Sequence, residues 1–245
     1  MDAGFKDVAA AKKFYRAVFG WTAKDNKMGD GFTYSLMRLR GKDVAGIYPR
    51  MEPQAKTKSP AFWLPYIAVK NVAATVRKAK AARAKVVTPA MKVAKLGRMA
   101  VLADPAGASF GLWQPGQMKG SQIADVAGSV CWHDLNTAKP KVAKRFYEMV
   151  FGWTASGQDV GGNPYTVFTL GRKPVAGVWP EPMKKLGPCW VTHWEVRDCA
   201  KTVANVKRLR GRVLMGTTKI PSGHRFAVLA DPWGAVFGVI EFAGD

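Results

Sequence analysis

Phe14-Tyr-Arg-Ala-Val-Phe-Gly-Trp21 and Phe146-Tyr-Glu-Met-Val-Phe-Gly-Trp153 are one phrase written twice, with six of eight positions identical. A second phrase, Leu102-Ala-Asp-Pro-Ala-Gly-Ala-Ser-Phe-Gly111, returns as Leu229-Ala-Asp-Pro-Trp-Gly-Ala-Val-Phe-Gly238 with eight of ten retained. The copies lie 132 and 127 residues apart in a chain of 245. A period of about half the length means that one structural unit is used twice, and every other reading follows from that.

Each copy of the first phrase closes a helix. Asp7 is an N-cap, and Val8, Ala11, Tyr15, Val18 and Phe19 recur at helical spacing as one apolar stripe. Gly20 can take the left-handed conformation that ends the helix. Residues 32–39 and 44–48 alternate in polarity around Arg40-Gly-Lys-Asp43 and read as a β-hairpin. A loop rich in Pro and Lys, residues 49–60, leads to a strand at 62–69. Asn71 caps a second helix with Val72, Val76, Ala79 and Ala82 on one face. Short strands follow at 86–87, 99–102 and 109–113, the last two joined by Asp104-Pro-Ala-Gly107, a turn in which Pro presets φ and Gly relieves it. Residues 114–127 form the linker.

The second half repeats this plan. It reads as a strand at 129–135, a helix at 140–151 closed by Gly152, a hairpin of 165–170 with 175–179, a strand at 189–196, a helix at 200–209 and three strands through Ile240. Strand–helix–three-strand thus occurs twice in each half. The first half has little room for its opening strand. Residues 1–6 are few and include Gly4, so that strand is expected to be truncated or absent, exposing a sheet edge for an oligomer contact or the other half to cover.

Bulk properties narrow the class. Apolar residues at 48% and aromatics at 11% suit two folded domains. No apolar run approaches the roughly 18 residues of a membrane span, and Met1-Asp-Ala-Gly-Phe-Lys6 lacks the charged-then-apolar pattern of a secretory signal. Cys131, Cys189 and Cys199, odd in number and without CxxC spacing, read as reduced thiols of a cytoplasmic protein. The net charge of +21 raises nucleic acid, an acidic membrane surface or an anionic substrate as partners. The cations, such as Lys201, Lys207, Arg208, Arg210 and Arg212, are spread along the outer faces of the expected helices. No helix-turn-helix, zinc-finger or stacked-aromatic motif accompanies them, so a solvated basic surface is the simpler reading and nucleic acid the least favoured partner.

A tandem βαβββ unit with Phe-Tyr…Phe-Gly-Trp closing each first helix and Asp-Pro-x-Gly-Ala-x-Phe-Gly before each last strand resembles the vicinal-oxygen-chelate superfamily, the glyoxalase, bleomycin-resistance and extradiol-dioxygenase group. The resemblance covers nearly the whole chain as four modules. Trp132-His-Asp-Leu-Asn-Thr137 together with Phe146-Tyr147 looks most like its two-domain, glyoxalase-like branch. It implies an α+β fold with two glyoxalase-like domains, 1–117 and 128–245, whose modules pair curled mixed sheets around clefts. It also implies, in the family's enzymes, a divalent metal such as Fe, Mn, Ni or Zn held by side chains of the first and last strands.

His133, His193 and Glu241 form the tempting triad, since two histidines and a carboxylate suit Fe(II). Register argues against it. Counted from the motifs, the family's ligand positions fall on Trp132, Val191 and Gly238, and in the first half on Leu64 and Gly111. An odd shift along a strand turns a side chain to the opposite face. With alternation, Trp132, Asp134 and Asn136 share one face, Val191, His193 and Glu195 another, and Leu64, Tyr66 and Ala68 a third. Aromatic walls with a few polar groups are the usual make-up of a small-molecule site. His193 and Glu195 are the candidate acid–base pair, and Trp132, Asp134, Asn136 and Tyr66 the candidate ligand-binding residues. The bland readings are a hydrogen-bonded core histidine at 193, and an Asp134 or Asn136 that only satisfies backbone groups. Two functions follow: a bleomycin-resistance-type binder of a small organic molecule with no standard metal triad, or a metal-dependent glyoxalase- or dioxygenase-like enzyme. A homo-oligomer would cover the open edge.

Overall fold

Helix α1 (Val8–Phe19) begins where Asp7 accepts a hydrogen bond from the amide of Ala10 and ends at Gly20, whose φ of 75° is left-handed. Around it the first module places β1 (Asp2–Phe5), β2 (Thr22–Lys27), β3 (Thr33–Leu39) and β4 (Lys42–Pro49). The computed structural model describes residues 1–28, 31–50, 59–160, 162, 164–179 and 183–244. Most of the loop expected at 49–60 lies outside them. After the short β5 (Trp63–Leu64), the second module runs β6 (Tyr66–Ala68), α2 (Val72–Ala81), β7 (Lys85–Val93), β8 (Gly97–Ala103) and β9 (Ser109–Pro115). The third is β10 (Val130–Asn136), α3 (Pro140–Phe151), β11 (Thr154–Asp159), β12 (Pro164–Leu170) and β13 (Lys173–Val178). The fourth is β14 (Cys189–Glu195), α4 (Cys199–Arg208), β15 (Arg212–Lys219), β16 (Arg225–Ala230) and β17 (Val236–Glu241).

All four modules share one topology. The strand after the helix pairs with the next, that one with the last, and the last lies parallel to the module's first strand. The α+β class and the repeated βαβββ plan are therefore as the sequence indicates.

Two local expectations are refined. The opening strand is present but truncated: β1 spans four residues against seven in β10, is buried throughout, and pairs with β4 from Asp2↔Gly46 to Phe5↔Pro49. Gly4 assists rather than interrupts, because a Cβ there would lie 3.0 Å from the ring of Tyr48. Nor is β1 an edge, since β4 and β5 flank it. The second change is that β2 and β11 extend the hairpins, although both are mostly exposed and show no apolar alternation. They form by backbone pairing to β3 and β12, a signal that side-chain periodicity does not carry. The turn between β3 and β4 tightens to Arg40-Gly41, with φ of 50° and 76°. That is the paired left-handed geometry that two-residue hairpins favour.

The chain divides into two compact units. One comprises residues 1–63, 120–131 and 192–245, the first and fourth modules; the other comprises 64–119 and 132–191, the second and third. Each has its own hydrophobic core. In both units the repeated phrases meet crosswise. In the first unit the Tyr15 hydroxyl donates to Asp231 Oδ2 at 2.8 Å and accepts from Trp63 Nε1 at 2.8 Å, while Asp231 Oδ1 accepts from the amides of Trp233 and Ala235. In the second, Tyr147 donates to Asp104 Oδ2 at 3.1 Å and accepts from Trp190 Nε1 at 3.0 Å, and Asp104 Oδ1 accepts from the amides of Ala106 and Ala108. The tyrosine of one sequence copy is thus satisfied by the aspartate of the other. Among the described residues no helix is long and apolar enough to cross a membrane, and the three cysteines are free thiols.

Candidate functional site

In every module the first strand sends alternate residues to opposite sides of the sheet. Ala3, Phe5, Leu135 and Trp194 join the cores beneath the helices. Asp2, Tyr66, Asp134 and His193 take the face away from the helices, where Asp2, Asp134 and His193 are buried. These four hold one register position, each opposite a glycine of the last strand: Asp2↔Gly46, Tyr66↔Gly111, Asp134↔Gly177 and His193↔Gly238. The glycines are needed because neighbouring side chains lie directly over them. A Cβ would fall 2.3 Å from the Tyr66 ring at Gly111, 2.4 Å from Asp134 Oδ1 at Gly177 and 1.9 Å from His193 Nδ1 at Gly238.

A hydrogen-bonded polar cluster stands on this face in the second unit. Trp132 Nε1 donates to Tyr165 Oη at 2.7 Å and to Asp134 Oδ1 at 3.2 Å, and Tyr165 donates to the same Oδ1 at 2.5 Å. Trp179 meets the Tyr165 ring edge-on at 6.0 Å. Asp134 is 3% exposed. Burial, and next the charge of Asp134, push the Tyr165 phenol far above its ordinary range, so it stays a protonated donor. A carboxylate, a fixed phenol and two indoles on one sheet face can grip a hydrogen-bonding group on a flat ligand.

The other expected residues are placed as follows. Asn136 ties down the segment after β13, accepting from the Met183 amide at 2.7 Å and donating to the Gly187 carbonyl at 2.6 Å. Tyr66 covers Gly111 and meets Trp113 edge-on at 6.5 Å. His193, 1% exposed, covers Gly238. Glu195 lines an open depression of about 340 Å³ with Val18, Phe19, Gly128, Arg197 and Lys201, all within the first unit. Glu241 is spent elsewhere, on the Cys199 amide at 2.8 Å and the Arg225 guanidinium at 2.6 Å.

Sequence reasoning missed Tyr165 and Trp179, and with them their counterparts Tyr34 and Tyr48 in the first unit. A signal existed. Val44-Ala-Gly-Ile-Tyr-Pro49 and Val175-Ala-Gly-Val-Trp-Pro180 are a third repeated phrase, which carries both the floor glycine and the aromatic wall.

The model of the Glyoxalase/Bleomycin resistance protein/Dioxygenase superfamily matches residues 3–112 and 126–239. The chain belongs to this superfamily. Among its relatives, a protein named putative glyoxylase CFP32 from Mycobacterium tuberculosis is 39% identical over 96% of this chain and 90% of its own. The anthracycline biosynthesis protein DnrV of Streptomyces peucetius is 35% identical over 98% of this chain and 91% of its own. In fold the superfamily member resembles a Mn(II)-bound glyoxalase from Novosphingobium aromaticivorans, with a TM-score of 0.65 and 16% identity over 98% of this chain and 80% of that one.

The superfamily's enzymes imply a metal, and the described residues at the superfamily's ligand positions do not fit one. The last-strand position that would supply a carboxylate is Gly238 in the fourth module and Gly111 in the second, and its register equivalents are Gly46 and Gly177. At each, the space of a side chain is already taken by a neighbour. Among the described residues no group of three or more His, Cys, Asp or Glu is placed to hold a metal ion.

Proposed function

We propose that this chain binds a small, planar organic molecule on the open face of its sheet, as a bleomycin-resistance-type binder with no metal at the superfamily's usual positions. The observation that carries the reading is the Trp132–Asp134–Tyr165 triangle beside Trp179. Its polar atoms are held rigidly by one another, and a pre-formed site costs little ordering on binding. Its walls are aromatic, which suits a flat ring system. Relatives named for anthracycline biosynthesis are consistent with that ligand size, since an anthracycline is a fused-ring aromatic.

The test is binding of a panel of fused-ring aromatic probes, followed by tryptophan fluorescence, to the wild type and to Asp134→Asn. Loss of a hydrogen bond to a charged group costs about 1.5–3 kcal/mol, so at least a tenfold weakening is expected. Equal affinities in the two proteins would remove Asp134 from the site and the reading with it.

The second reading is a divalent-metal-dependent glyoxalase- or dioxygenase-like enzyme using His193 and Glu195. It would take precedence if the purified chain, free of any affinity tag, held about one metal per molecule and lost it in His193→Ala.

A further inference from the structure

We infer that the second compact unit docks on an anionic lipid surface through the outer face of α2 and α3, with Val142 and Met149 entering the interfacial layer among the cations. The inference stands apart from the ligand reading above. Leu135 points into the core beneath these helices, so its neighbour Asp134 faces the other way and stays free of the docked side.

Two observations meet on this face. The first is charge. α2 carries Arg77, Lys78 and Lys80 with no acidic residue, and α3 carries Lys141, Lys144 and Arg145 against a single Glu148. All six cations are exposed. Glu148 lies 4.0 Å from Lys144 and leaves the rest of the face positive. The two helices pack against each other over one core, so their outer surfaces stand side by side.

The second is apolar exposure. Val142 is 43% exposed and Met149 48%. They lie seven residues apart on α3, about two turns, and so share one stripe with Arg145 between them. Ala143, Phe146, Tyr147 and Val150 already fill the buried side of α3, so core packing does not call for this pair. The helices of the first unit give the contrast. α1 and α4 present exposed Lys13, Arg16, Lys207 and Arg208, yet among the described residues neither carries an exposed large apolar side chain.

Charge and apolarity together select the partner. A nucleic-acid backbone would take up the cations and leave Val142 and Met149 in water. A second copy of the chain would bring like charge against like charge. An anionic bilayer accepts both features at once: headgroups pair with Lys and Arg, and the layer beneath takes the apolar side chains and the aliphatic stems of the cations.

The test is co-sedimentation of the full chain with vesicles of phosphatidylcholine alone and with one-third phosphatidylserine, and in parallel a titration with a short DNA duplex. Binding is expected only to the phosphatidylserine vesicles, and added salt should release it. Lys141→Glu/Arg145→Glu should weaken it at least about tenfold. Lys207→Glu/Arg208→Glu removes the same charge from α4 and should leave it within about twofold. Val142→Thr/Met149→Gln keeps both the net charge and the side-chain size and should also weaken it about tenfold. Melting temperatures check each fold, and Lys141→Gln/Arg145→Gln replaces the reversal if that variant unfolds. Equal losses from the α3 and α4 reversals would overturn the assignment to this face, leaving only the net charge of the whole chain. Vesicle binding untouched by Val142→Thr/Met149→Gln would overturn insertion of the apolar pair. Binding of the duplex without binding of the vesicles would make the partner nucleic acid and overturn the inference as a whole.

Discussion

Asp231 shows how a single residue couples this fold to pH. Its carboxyl is pushed up to about 6 by burial, although Tyr15 and three backbone amides pull the other way. In the unfolded chain it would titrate near 3.9. The native state therefore binds more protons than the unfolded state between about pH 4 and 6. Stability from this group is fully present below about pH 4 and is lost as pH rises through 6, by about 2–3 kcal/mol for a shift of about two units. Asn at this position keeps an oxygen for the amides of Trp233 and Ala235 but does not ionise. Urea unfolding at pH 4.5 and 7.5 should show wild type losing stability relative to Asp231→Asn by about 2 kcal/mol as pH rises. A gap between the two proteins that is independent of pH would contradict this. Asp104 is raised by burial in the same way, so the sequence motif Asp-Pro-x-Gly reads as a turn while its buried charge is visible only in the fold.

The last strand of each module is the element on which the open face depends. Gly238 lies beneath His193, which is itself almost fully buried and has little room to turn aside. Gly238→Ala should cost about 1–3 kcal/mol by overpacking. Gly157, in β11, has nothing within 4 Å of its Cβ position, so Gly157→Ala should fall within about 0.5 kcal/mol of wild type. Melting temperatures of the two variants decide it, and equal destabilisation would refute the packing argument. These strands also show the limit of sequence reading. Caps at Asp7 and Asn71 and the stops at Gly20 and Gly152 were legible because they are local hydrogen bonds and dihedral preferences. β1 was legible only as a strand truncated or absent, because four residues carry too little pattern to decide, and it is β4 and β5 that hold them extended.

At the scale of the whole molecule, each half of the sequence contributes one module to each compact unit. Residues 1–119 alone would hold Tyr15 without Asp231 and Asp104 without Tyr147. Buried polar groups left without partners cost about 1–3 kcal/mol each, more when charged, and half of each core would be missing as well. Neither 1–119 nor 120–245 should fold alone as a monomer, while mixing the two should restore a cooperative transition. Circular dichroism with size-exclusion chromatography checks this, and a cooperatively folding monomer of either fragment would refute it.

By itself the sequence determined the repeat, the βαβββ modules, the caps and turns, and the face on which Trp132, Asp134 and His193 stand, because each of these follows from spacing along a strand or helix. Tertiary structure decided which copies of the motifs meet. Tyr15 finds Asp231 rather than the identical Asp-Pro turn at Asp104 in its own half, and Tyr147 finds Asp104. Both pairings have the same chemistry, so no residue preference separates them. Only the path of the chain, which brings the first module to the fourth and the second to the third, makes the choice. The same holds for Tyr34 and Tyr165: alternation puts them on a face, but their partners lie two strands away, reached only because a glycine in the strand between them leaves room.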